Sequence, residues 1–335
     1  MFPSLLTLVL GAIFIFIMYR FSLKYRVLVD IPKKRSVHTK PIPMIGGLFI
    51  FFAFIFEMYI HINELSPISF YTLSISSLII FIGGLIDDLK DVSPKLKFVF
   101  IILASTIVVL NGLVIDNIRL TNELYLNLWI FSIPFTIFAI TGLTNALNLL
   151  DGIDGYASIV ATMLFIAFCY IGVTYNDNFL IFISINMIIF ILIFLLFNFP
   201  PAKIFLGDNG SLFLGFILSV LSIYLLRYLD EGTVLLMLTL PVMDTFTVIF
   251  LRLKMGKLPF EADKIHLHHI LLDFTKNVKV TLLLLTILHF LFVYMAIKLD
   301  TESYVKASIF FIIFLWQYIL RHYYIVNKND ETNAM

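Results

Sequence analysis

Residues 144–174 read TNALNLLDGIDGYASIVATMLFIAFCYIGVT. From Tyr156 to Thr174 the chain is almost unbroken hydrocarbon, long enough as a helix to cross a bilayer core of about 30 Å. Just before it, Asn145, Asn148, Asp151, Gly152, Asp154 and Gly155 close another apolar run within a dozen residues. The same alternation continues in both directions. Of 335 residues, 61% are hydrophobic and only 13% charged, with a mean hydropathy of +1.01, too little polar surface to cover a soluble domain. The sequence predicts an all-α polytopic membrane protein of about 11 transmembrane helices, at 3–20, 45–60, 68–86, 97–115, 127–145, 156–174, 179–197, 211–229, 233–251, 280–298 and 303–321.

Charge orients these spans. Numbering the connections in order, the odd ones, with the tail after the last span, hold 19 of the 23 Lys and Arg residues. The positive-inside rule places them in the cytoplasm, with the N-terminus outside and the C-terminus inside. The even connections read as plain turns. The first span has no basic residue before it and no small-residue cleavage site after it, so it reads as a retained helix. No internal repeat is evident, and residues 1–325 are expected to form a single multi-helix transmembrane domain followed by a short polar cytoplasmic tail, 326–335. Cys169 is the single cysteine and excludes an intramolecular disulfide.

Function is expected on the odd side, where five loops carry polar residues beyond those topology needs. The first, Asp30 to Gly47, is basic and stiffened by prolines, and suits an anionic partner. The second carries GLIDDLKDVSPK, in which Asp87 and Asp88 lie three or four residues from Asp91. Such like-charge neighbours on one helix repel. Lys90, Lys95 and Lys97 could offset them, or a divalent cation could. In the third, Asn145, Asn148, Asp151 and Asp154 recur every third residue, drifting about 60° per step on an unbroken helix. Gly152 and Gly155 can turn the chain so that Asp154 folds back. Carboxylates at a helix C-terminus face the negative end of its dipole and call for a cation.

The fourth loop, NFPPAKIFLGDNGS from Asn198 to Ser211, can cap the eighth span through Asp208 or Asn209, and a helix N-terminus after Lys203 is also an anion site. The fifth contains PFEADKIHLHH. His266, His268 and His269 have no cysteine nearby, which argues against a zinc site. Asp244 lies near the inner end of the ninth span, where ionisable residues are functional by default.

No Ser-His-Asp order, P-loop lysine motif or dinucleotide fingerprint is present. Metal-assisted chemistry on a phosphate remains, because Mg²⁺ is held by one or two carboxylates together with substrate phosphates. RSxHxxPxPxxGG, the DDxxD of Asp87, Asp88 and Asp91, NxxNxxDGIDG, PAKIFxGDxGS and DxxHLHHxL follow one another on alternate loops. In that order they resemble the polyprenyl-phosphate N-acetylhexosamine-1-phosphate transferase family, over about Asp30 to Leu272.

The resemblance implies transfer of a sugar 1-phosphate from a UDP-N-acetylhexosamine, most simply UDP-GlcNAc, to undecaprenyl phosphate at the cytoplasmic face of a bacterial inner membrane, releasing UMP. It implies Mg²⁺ or Mn²⁺ as cofactor, Asn148 and Asp208 as metal-contacting residues, and Asp87, Asp88, Asp151 and Asp208 as catalytic residues, with Asp88 a candidate base. Arg35, His38, Asn145, Asp154, Lys203, His266, His268 and His269 are the expected substrate-binding residues. Expected partners are the UDP-sugar, the polyprenyl phosphate and membrane lipid, with no nucleic acid; a homodimer is compatible with the sequence. The rival readings are a phospho-muramoyl-pentapeptide transferase within the class and a secondary transporter outside it.

Overall fold

A computed structural model describes residues 3–32, 40–62, 67–121, 123–258 and 265–333, with side chains omitted for 67–69 and 327–333. Each predicted apolar stretch forms helix. In chain order these are α1 (Leu5–Tyr25), α2 (Gly46–Ile60), α3 (Pro67–Lys90), α4 (Pro94–Leu110), α5 (Ser132–Leu149), α6 (Tyr156–Tyr175), α7 (Asn178–Asn198), α8 (Asp208–Tyr224), α9 (Glu231–Met237), α10 (Thr239–Lys254), α11 (Leu267–Thr275), α12 (Val278–Lys298) and α13 (Ser303–Asn333). Among the described residues eight helices are long and apolar enough to cross a membrane, and nine if the bent pair α9 and α10 counts as one span. At 15 residues, α2 would rise only about 23 Å, short of a full hydrocarbon core.

Two predictions differ in detail. The ninth span, expected to run unbroken over 233–251, is bent by 81° between α9 and α10. Pro241 lies four residues after Met237, where its ring clashes with the Met237 carbonyl and its missing N–H breaks the ladder; α9 ends there. The fourth connection is a hairpin rather than a plain turn. Strands β3 (Asn117–Arg119) and β4 (Tyr125–Asn127) pair antiparallel, with Ile118 opposite Leu126. Alternating polar and apolar residues on both arms give the period of two that a strand requires. Earlier in the chain, β1 (Val29–Asp30) pairs with β2 (Ile42–Pro43).

The chain divides into two compact units, one of Met1–Asp116 with Trp129–Leu225, the other of Asn117–Leu128 with Leu226–Met335. In the first, α8 is the hub: it packs on α3, α5, α2 and α6 and is buried along most of its length. Phe51 of α2 stacks on Phe81 of α3 at 4.0 Å and meets Phe213 of α8 edge-on at 5.4 Å. Gly47 lies directly on the first turn of α8, and a Cβ there would strike Asn209 and Gly210. The start of α2 is thereby held against the N-terminus of α8.

In the second unit, α13 packs on α9 and α10, and α12 on α9 and α11. The hairpin joins it through two hydrogen bonds: Arg119 N–H donates to the Glu231 carboxylate Oε2 at 3.0 Å, and Tyr304 N–H donates to the Leu120 carbonyl at 3.1 Å.

Candidate active site

The segment between α7 and α8 organises the first unit. Asn198, buried in the last turn of α7, accepts from Gly155 N–H at 3.0 Å and donates to the Ile204 carbonyl at 3.0 Å. Asp154 Oδ2 accepts from Ala202 N–H at 2.9 Å. The DGIDG turn is thus fastened to this segment at two points: the chain turns at the glycines as expected, but Asp154 bonds to Ala202 rather than to the other three polar residues. Gly155 makes the reversal with φ of 76°, a conformation that favours glycine. The first loop adds to the same segment: Phe205 N–H donates to the Pro43 carbonyl at 2.8 Å, Gly46 N–H to Phe205 at 3.0 Å and Gly47 N–H to Leu206 at 2.9 Å.

Helix α8 has no side-chain cap from its own N-cap residue, Gly207, whose φ is 76°. The cap comes from α3. Asp88 Oδ1 accepts from Asp208 N–H at 2.7 Å, and Oδ2 accepts from Asn209 N–H at 3.0 Å and from the Asn209 side-chain amide. A carboxylate at the positive end of a helix dipole with two free N–H groups is a favourable arrangement. Its consequence is placement, because it locks Asp208 beside the end of α3.

Three charged groups then converge. The Lys97 ammonium pairs with Asp87 Oδ2 and lies 3.4 Å from Asp208 Oδ2. Asp208 Oδ1 accepts from Asn148 Nδ2 at 2.6 Å, and the same amide donates to Ser211 Oγ at 2.7 Å. Asp87 Oδ1 accepts from Val92 N–H at 2.8 Å. Of the three nearby lysines, Lys97 pairs with Asp87, whereas Asp91 is exposed with φ of 51°.

Asp151 lies in the turn after α5. Burial, and then the negative charges of Asp208, Asp88 and Asp154, hold its carboxyl well above the usual carboxylate range. Asn145 is half-buried on α5, and Lys203 is exposed. Arg35 and His38 lie outside the described residues.

The donor set is hard oxygen with a cation already shared between two carboxylates. Among the described residues no three His, Cys, Asp or Glu side chains are grouped to hold a metal ion. Mg²⁺ requires only one or two carboxylates because substrate phosphates and water complete its shell. Asp87, Asn148 and Asp208 fit that requirement.

The histidines belong to the second unit. His266 occupies the N-cap position of α11 without a side-chain cap bond, and its Nδ1 lies 2.6 Å from Asp244 Oδ2. His268 and His269 have ring centroids 4.2 Å apart. Burial lowers the His268 imidazole to about 3, outweighing the opposite pull of Asp244, so the ring is neutral near pH 7. Sequence reasoning overlooked two residues of these constellations, Asn198 and Arg321. Each is a polar residue near the C-terminal end of an apolar run, a signal of the kind already used for Asp244.

The pattern described as Glycosyl transferase family 4 matches residues 70–226, which hold every group of the first unit's cluster. Among curated proteins the chain is 31% identical over 302 residues to the "Probable undecaprenyl-phosphate N-acetylglucosaminyl 1-phosphate transferase" of Bacillus subtilis, covering 87% of this chain and 83% of that protein. It is 26% identical to the undecaprenyl-phosphate alpha-N-acetylglucosaminyl 1-phosphate transferase of Yersinia pestis, covering 92% and 87%. Its identity to the protein of the same name in Escherichia coli K12 is 27%, covering 88% and 83%.

Proposed function

The chain belongs to glycosyl transferase family 4, and from that premise we propose that it transfers N-acetylglucosamine 1-phosphate from UDP-GlcNAc to undecaprenyl phosphate, releasing UMP. In this reaction an oxygen of the lipid phosphate bonds to the sugar-bearing phosphorus as the bond from that phosphorus to the UMP oxygen breaks. Little covalent help is needed from the protein, since phosphoryl transfer is governed by positioning and charge stabilisation. The observation that carries the reading is the Lys97 ammonium held between Asp87 and Asp208, a basin where positive charge and phosphate oxygens can meet.

Asp208 and Asn148 would hold Mg²⁺, which when bound neutralises phosphate charge as a Lewis acid. Lys97 meets phosphate oxygens from the other side of the carboxylates. Asp88 acts by position, because both its oxygens already accept hydrogen bonds from the first turn of α8. We assign Asp151 and Asp154 of the turn and Asn145 of the preceding helix to the nucleotide sugar, and Lys203 to its phosphates. Arg35, His38, His266, His268 and His269 are assigned to substrate binding on their sequence motifs alone. In the membrane we assign eleven crossings, adding the shorter helices α2 and α4 to the eight long ones and counting α9 with α10 as one bent crossing, with the odd loops cytoplasmic in a bacterial inner membrane, on the bias of Lys and Arg between the two sets of connections.

The test is purified protein in detergent, offered a panel of UDP-sugars with undecaprenyl phosphate. UMP release that requires both lipid phosphate and a divalent ion is expected, with UDP-GlcNAc preferred. Substrate movement into sealed vesicles without covalent change would replace the proposal with transport.

A further inference from the structure

The second unit contains an ionic constellation that the cluster around Asp208 does not use. Arg321 of α13 is fully buried, as are Asp244 of α10 and Gln317, one turn before Arg321. Arg321 Nη2 donates to Asp244 Oδ1 at 2.6 Å and to Gln317 Oε1 at 2.9 Å, while Nη1 donates to the Asp244 backbone carbonyl at 3.1 Å. Asp244 spends its remaining capacity on the histidine segment. Oδ1 also accepts from Leu267 N–H at 2.7 Å, and Oδ2 lies 2.6 Å from His266 Nδ1.

The chain of contacts runs in one direction. The guanidinium fixes the carboxylate, and the carboxylate fixes the ring. With Asp244 ionised by its arginine, the short contact requires the His266 proton on Nδ1, which leaves Nε2 as the acceptor in the neutral ring. The Leu267 bond fastens the start of α11 to the same carboxylate, so the neighbouring His268 and His269 inherit the placement. A simple helix-to-helix ion pair between α10 and α13 would have no need of the His266 ring or the Leu267 amide.

We propose that Arg321 is a positioning residue for the sugar-phosphate transfer, acting through Asp244 to set the tautomer and orientation of His266. The inference rests on the transferase reading for its catalytic half, whereas its hydrogen-bonding half concerns the second unit alone.

The test uses full-length protein labelled with ¹⁵N-histidine in detergent, with the His266 signals identified by their loss in His266→Asn. In the wild type, long-range ¹H–¹⁵N spectra should show His266 with its proton on Nδ1. Arg321→Gln should mix the tautomers and lower kcat/KM for the UDP-sugar by about 10–100-fold, the range seen when a residue that orients an active-site histidine is lost. Arg321→Lys should restore part of both. Because Arg321→Gln leaves a lone buried carboxylate and can unfold, the double variant Asp244→Asn with Arg321→Gln removes both charges. It should melt near the wild type and still show mixed tautomers and low kcat/KM.

A double variant with wild-type kcat/KM and an unchanged His266 spectrum would overturn the proposal. A mixed spectrum with wild-type kcat/KM would overturn the catalytic half. Wild-type protein that releases no UMP from any UDP-sugar would sink the transferase reading, and the spectrum would still decide whether Arg321 sets the ring.

Discussion

Two acidic constellations, one in each unit, solve the problem of a carboxylate near a membrane in opposite ways. Asp244 is enclosed, and its two oxygens are matched by an arginine, a histidine and a backbone amide. Asp87 and Asp208 share a single lysine, with Asp151 and Asp154 close by and no further cation paired to them among the described residues. A fully matched buried charge holds structure in place, whereas an excess of negative charge at converging helix ends retains the capacity to take up a cation and its phosphate. Asp88 lies between these extremes: it belongs to the acidic cluster but is committed to the end of α8.

The contrast is broken most severely by Asp244→Ala, which strands Arg321 in the interior. A loss of about 3–5 kcal/mol of stability is expected, read as a lowered thermal midpoint in detergent, and wild-type melting would show that the pair is not buried as described. Asp208→Asn should do the reverse, with UMP release falling by about 10²–10³-fold, the scale of losing one group that stabilises developing charge, and the thermal midpoint little changed. Asp88→Ala should affect both readouts. It leaves the N–H groups of Asp208 and Asn209 without their acceptor, at about 1–3 kcal/mol, and frees Asp208 to wander. Thermal melts paired with UMP release would expose an effect on one alone.

The smallest effect sharpens the comparison through pH. Because the Asp151 carboxyl is held above its ordinary range, the folded protein binds a proton that the unfolded chain releases as pH climbs from the ordinary carboxylate value toward the raised one. Stability is therefore lost as pH rises through that window. Asp151→Asn should raise the melting midpoint of metal-free protein at pH 7, and the advantage should vanish at low pH. An advantage that grows toward low pH would contradict the assignment.

Much of the first unit's site was legible in the sequence, because helix ends in an apolar chain are marked by the polar residues themselves. The spacing from Asn145 to Asp154 required a turn at the glycines, and the structure has it. Of the neighbouring acids Asp87 and Asp88, the first pairs with Lys97 and the second is taken up by the N–H groups of α8. What the sequence concealed were partnerships between distant segments. Asp88 and Asp208 are separated by 120 residues, and nothing local reveals that a carboxylate of one helix caps another.

Arg321 was obscured for a different reason. At the C-terminal end of the last apolar run it was counted only in the Lys and Arg bias that orients the spans, whereas its burial gives it a structural partner in Asp244, 77 residues away. The bend after Met237 was readable from Pro241, but the uniform hydropathy of 233–251 favoured one straight span. The hairpin at 117–127 also carried its own alternation, outweighed by its brevity.

The most direct test of the central claim is UMP release by purified protein from UDP-GlcNAc and undecaprenyl phosphate, titrated with Mg²⁺ in parallel for wild type and Asp208→Asn. The account predicts metal-dependent release by the wild type and almost none by the folded variant at any metal concentration. Equal release by both, or release by the wild type that ignores Mg²⁺, would contradict it.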